Sequence, residues 1–176
     1  MSSKTLTIFC AGLVLIHLQC TTTKNVKHQH HWRFNDPYIN QTIISGWEHI
    51  NKRHYEWAML DFTRLIQKNY IDYDILFGAG LACYYTNDTV KAIDYCTGAI
   101  EQNPQHFEAY FCRAQCYLAL NNKKKALDDL HTIVAMKLNQ PFICGYYINN
   151  DDLADDAALQ ERKKEAQKII VAIVHD

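Results

Sequence analysis

Apolar side chains recur along this chain at helical spacing, in pairs of short runs divided by polar turns. Phe107, Tyr110, Phe111, Ala114, Tyr117 and Leu118 step by 3, 1, 3, 3 and 1, which puts them on one face of a helix. Asn121 and Asn122 interrupt that face. Short polar side chains of this kind bond nearby backbone and so favour turns and helix starts. A second apolar face follows, built by Ala126, Leu127, Leu130, Ile133 and Val134. The same two-helix pattern occurs twice earlier. Residues 39–50 and 55–66 flank a polar turn at Asn51 to His54, and residues 76–84 and 90–100 flank Asn87 and Asp88. Pro104 closes the later pair, because it cannot extend the helical hydrogen-bond ladder.

The pairs repeat with a period of 34. Ala58, Ala92 and Ala126 fall in one column, and Gly46, Gly80 and Ala114 in another. Leu65, Ala99 and Ile133 form a third, and Phe62, Cys96 and Leu130 a fourth. Four columns in one register, without a gap, mark an internal repeat. The small columns have a physical cause. Antiparallel helices approach closely only where side chains are small, and a bulky residue there costs about 1–3 kcal/mol.

These residues resemble the tetratricopeptide repeat. That family has a small residue at its eighth position, Ala at its twentieth, a large residue at its twenty-fourth and often Pro at its thirty-second. Gly46, Ala58, Phe62 and Tyr70 hold those places in the first unit, and Gly80, Ala92, Cys96 and Pro104 in the second. Ala114, Ala126, Leu130 and Leu138 hold them in the third, and Tyr117 matches the usual eleventh-position Tyr. Cys96, Tyr70 and Leu138 depart from the pattern. The resemblance covers about residues 39–138 and implies an all-α solenoid of three helix hairpins, at 39–72, 73–106 and 107–138.

Stacks of this family curve, and first helices line the concave groove. Carried over, the family's groove positions include Ile43 and Trp47 in the first unit. The second contributes Asp74, Phe77, Leu81, Tyr84 and Tyr85, and the third Glu108, Phe111 and Gln115. The implied groove is apolar and aromatic at its centre, with two acids at one edge. Rigid rings bury much area at little entropic cost, so they make good anchors. An apolar or helical peptide or protein segment with a basic flank is the expected partner. Members that grip a terminal carboxylate use Lys, Asn, Asn, Lys and Arg at set places. Here those places hold Ile43, Trp47, Gly78, Glu108 and Cys112, so a chaperone-tail clamp is not expected.

The two ends of the chain differ from its middle. Residues 1–20 start with one cation, Lys4, and continue with an apolar stretch of 13 residues from Leu6 to Leu18. A membrane span needs about 20 residues, so this pattern reads as an export leader. Cys20 resembles the lipidated cysteine of bacterial lipoproteins, although Gln19 stands where a small residue is usual. Membrane tethering through that lipid is one expectation, and simple cleavage and secretion the other. Residues 21–37 read as a polar linker. Beyond the repeats, residues 139–150 hold Pro141 and Gly145 and read as a loop. Asp151 and Asp152 suit a helix start, and residues 152–174 are expected to form a helix capping the last repeat. Its expected face is Leu153, Ala157, Ala166, Ile169, Ile170 and Ile173.

Composition narrows the function. The net charge of -1 gives no broad pull toward nucleic acid. His28, His30 and His31 cluster in the linker, but no nearby Cys or carboxylate completes a tetrahedral metal set. Cys83, Cys96, Cys112, Cys116 and Cys144 read as small core residues, with a Cys83–Cys96 bridge conceivable. No phosphate loop, Gly-x-Ser-x-Gly or His-Glu-x-x-His occurs. No cofactor, metal or catalytic residue is assigned. The reading is a non-enzymatic protein-binding module, with an assembly subunit of a larger envelope or secretory complex as the alternative and a metal-binding protein using His28, His30 and His31 as a third.

Overall fold

A computed structural model describes residues 34–145 and 153–175. The leader, Cys20, the His28, His30 and His31 cluster and most of the linker lie outside the described residues. Within them the chain forms seven helices. They are α1 (Pro37–Asn51), α2 (Tyr55–Gln67), α3 (Tyr73–Tyr85), α4 (Thr89–Gln102), α5 (Phe107–Ala119), α6 (Lys123–Ala135) and α7 (Asp156–His175).

Local chemistry sets the helix ends. The carboxylate of Asp36 accepts from the Tyr38 amide, and that of Asp72 from the Asp74 and Ile75 amides. Asp88 and Asn122 cap α4 and α6 in the same way, and His106 caps α5 through Nδ1. Each of these bonds satisfies a donor that a helix start leaves open. At the hairpin turns Arg53, Asn87 and Asn121 adopt φ of 61, 62 and 56°, again 34 residues apart. The next residue in each case donates back five residues: His54 to His49, Asp88 to Cys83 and Asn122 to Tyr117, at 2.8–2.9 Å. Three identical left-handed terminations therefore repeat the sequence period in the backbone. Asn tolerates this conformation, whereas Arg53 bears a cost of about 1 kcal/mol.

Successive helices pack in chain order, and α1–α3 and α3–α5 also touch. No comparable contact joins the second helices of neighbouring hairpins among the described residues. The first helices therefore form the inner, concave layer of an all-α solenoid. Ala58, Ala92, Ala126 and Ala114 are fully buried. A methyl group added at Gly46 would lie 2.7 Å from the Phe62 ring, and one at Gly78 only 2.4 Å from it. Phe62 thus fills the space that two glycines leave, one from its own hairpin and one from the next. One period later the partners are Cys96, Gly80 and Cys112. A methyl at Gly80 would lie 2.9 Å from the Cys96 sulfur. The large ring and the glycine of the first junction become two small thiols at the second, which explains the departure at Cys96.

The C-terminal part corrects two expectations. Residues 142–143 and 153–154 form a short antiparallel strand pair, Phe142 opposite Ala154 and Ile143 opposite Leu153. That pairing claims the residues expected to begin the capping helix, so α7 starts at Asp156, with Asp155 accepting from the Ala158 amide. Its buried face is Leu159, Ala166 and Ile170, while Ala157 is exposed. Helix α7 packs on α6 and touches α5, the same relation that α3 has to α2 and α1. It stands where the first helix of a fourth unit would stand and covers the end of the stack.

Candidate partner-binding site on the concave face

The ten predicted groove residues fall into two groups. Ile43, Trp47 and Asp74 are buried at the first-unit end of the concave face. There the Trp47 indole N–H donates to Asp74 Oδ2 at 3.0 Å, and the Gly145 amide donates to Asp74 Oδ1 at 2.8 Å. A methyl on Gly145 would sit 2.1 Å from the Trp47 indole nitrogen, so only glycine brings the backbone this close. Phe142 inserts beside Tyr73, His106 and Phe107, with ring centroids 5.0–6.1 Å apart. Cys144 and Ala154 are fully buried. The chain's own return segment therefore covers this end of the face.

The other seven residues converge. Phe77, Leu81, Tyr84 and Tyr85 of α3 and Glu108, Phe111 and Gln115 of α5 line one open pocket of about 270 Å³. Cys112 and, from α7, Arg162 and Glu165 complete its wall. Tyr85 is 43% exposed and lies stacked on Tyr55 at 4.3 Å. Tyr84 meets Tyr85 edge-on at 5.2 Å. Burial, aided by the Cys112 and Cys116 thiols, pushes the Tyr84 phenol above its ordinary range, so it stays protonated. Contact with Cys116 favours the Cys112 thiolate, but contact with Cys96 and burial outweigh it and hold that thiol well above its usual value. The pocket thus presents rings and an inert thiol rather than a nucleophile.

Arg162 was not foreseen as a site residue. Its guanidinium grips Glu108 with Nε and Nη2 at 3.0 Å from Oε1, and it lies over the Phe111 ring at 4.2 Å. A signal existed. Arg162 interrupts the apolar series Leu159, Ala166, Ile170 on the buried face of α7, and a cation on such a face implies an acid beneath it.

Other features of the pattern sit away from the pocket. Arg113 forks onto Asp129 at 2.7 and 2.9 Å, linking α5 to α6. Ser45 and Asp61 occupy the equivalent places in the first hairpin and bond at 2.7 Å. The five described cysteines are buried and unbridged, as core residues. Among the described residues no group of His, Cys, Asp and Glu has the arrangement to hold a metal ion.

The Tetratricopeptide repeat family model matches residues 95–128, from the middle of α4 to the middle of α6. That stretch of the chain is similar to a tetratricopeptide repeat. No curated protein matches it. The matched span holds Cys96, Ala114 and Ala126, and the 34-residue columns carry the tetratricopeptide register from there back to Gly46. Tetratricopeptide repeats serve in general as protein-interaction scaffolds, so this chain is read as a protein–protein interaction module.

Proposed function

We propose that this module is non-enzymatic and takes an apolar segment of a partner protein into the open pocket between α3, α5 and α7. The observation that carries this reading is the convergence of Phe77, Tyr84, Tyr85 and Phe111 on one open concavity. Preformed aromatic walls lose little entropy on binding, and such pockets are where interface energy concentrates. Peptides selected from a displayed random library on the full-length chain test it. Replacing Tyr84 and Phe111 together by Ala is expected to weaken the selected peptides by at least about tenfold, since anchor residues contribute 1 kcal/mol or more each. Unchanged affinity removes the reading.

The proposal extends to location: an exported chain tethered to a membrane through lipid on Cys20, supported by the apolar stretch at residues 6–18 and the polar residues that follow. Mass spectrometry of the mature N-terminus decides it. A diacylated or triacylated Cys20 is expected, and an unmodified N-terminal residue excludes the tether.

A second reading, an assembly subunit, is favoured by the convex side. Trp57 is 61% exposed and Leu60 45% exposed beside a shallow apolar cleft between α2 and α4. Light scattering separates the two readings. A dimer or larger that dissociates on Trp57→Ala favours assembly through a second copy, and a monomer excludes it.

A further inference from the structure

The chemistry of the open pocket specifies more than apolarity. Its charged lining, among the described residues, consists of Glu108, Glu165 and Arg162. Two carboxylates face one guanidinium, so the described lining carries a net negative charge. Its lining includes Phe77, Tyr84, Tyr85 and Phe111, and aromatic rings attract cations. The chain itself shows that a cation fits here. Arg162 lies over Phe111 at 4.2 Å while pairing with Glu108 and with Glu165. The cavity of about 270 Å³ is smaller than most sites for drug-sized ligands, which start at roughly 300 Å³, and suits a single long side chain.

We infer that the pocket selects partners by a lysine or arginine side chain, inserted between the tyrosines and Glu165 beside Arg162. This rests on the peptide-binding reading above and deepens it. Helix α7 then has a second role besides covering the stack: through Glu165 it supplies the acid that sets specificity. Glu165 is about half exposed, so its charge can be altered without disturbing the core.

Three fluorescein-labelled leucine-rich hexapeptides test this on the full-length chain. They differ only in carrying two lysines, two glutamines or two glutamates at the same positions. At low salt the lysine probe is expected to bind about tenfold tighter than the glutamate probe, with the ratio shrinking as salt screens the charges. Glu165→Lys should bring the ratio to about one or invert it, because it changes the pocket charge by two units. Equal binding of the lysine and glutamate probes, or a preference unmoved by Glu165→Lys, overturns the inference. The glutamine probe separates that failure from failure of the underlying reading. If it binds and Tyr84→Ala weakens it, the peptide site stands and only the charge selection falls. If no probe binds, or Tyr84→Ala leaves the glutamine probe unaffected, the peptide site falls and the inference falls with it.

Discussion

One repeat register builds both ends of the concave face, yet the ends differ. The ninth-position column runs Trp47, Leu81, Gln115, from a fully buried indole to a half-buried amide. The second-position column runs Asn40, Asp74, Glu108, all of them buried. Both acids are met by the C-terminal segment, but with different donors. Asp74 takes the neutral amide of Gly145 together with the Trp47 indole, and the chain seals over it. Glu108 takes the charged fork of Arg162, and beside it the described residues leave an open pocket. A carboxylate bonded to backbone and indole can be enclosed in a packed layer. A carboxylate bonded to guanidinium instead ties the first helix of the third hairpin to α7 beside the pocket. The difference teaches that identical repeat positions do not make identical surfaces, because what returns over them decides which part remains available.

The largest expected effect strikes the closed end. Trp47→Ala removes a fully buried ring and one donor of Asp74, at a cost of about 4 kcal/mol in urea unfolding. A loss below about 1 kcal/mol would mean that this end is not sealed. Next is Arg162→Ala, which leaves Glu108 buried without its guanidinium and is expected to cost about 3 kcal/mol. If the two ends are independent in the way described, Arg162→Ala leaves the Trp47 environment unchanged by fluorescence, whereas Trp47→Ala does not alter binding of the lysine probe. Gly145→Ala comes third. Its methyl group would collide with the Trp47 indole, so the return segment must shift, with an expected cost of about 2 kcal/mol. Faster hydrogen exchange confined to residues 142–145 would accompany it, and a neutral outcome would contradict the close approach.

The smallest effect lies away from both ends, at the buried Cys83 of α3, which borders the cleft between α2 and α4. Burial raises the Cys83 thiol from 9.0 to about 11, with the Asp88 charge adding to the rise. The folded state therefore holds this proton more tightly than the unfolded chain. Its stabilising contribution is complete below pH 9 and is lost as pH climbs from about 9 to about 11. The urea midpoint should fall over that window, and less steeply in Cys83→Ala. Iodoacetamide at pH 8 should label Cys83 far more slowly than a free peptide thiol. Rapid labelling at that pH would show the thiol to be exposed.

Much of the fold was legible because its determinants lie close in sequence or recur at fixed spacing. The Ala and Gly columns follow from helix contact, and Asn87 and Asn121 announce their turns chemically. Arg53 does not: its left-handed backbone is imposed by the register rather than by its side chain. Of the ten groove residues named from the family pattern as the expected site, seven line the pocket. The return segment was not legible, since Gly145 meets Asp74 across 71 residues and no local pattern encodes that contact. The start of α7 was misplaced for the same reason. Asp151–Asp152 and Asp155–Asp156 are equally good caps locally, and a strand pairing chose between them.

The division of the concave face into a sealed end and an open end is tested most directly by nuclear magnetic resonance of the full-length chain titrated with the lysine probe. The account predicts shifts at Tyr84, Tyr85, Phe111 and Gln115, with the Trp47 indole and the Gly145 amide unmoved. Shifts centred on Trp57 and Leu60, or a displaced Gly145 amide, would contradict it.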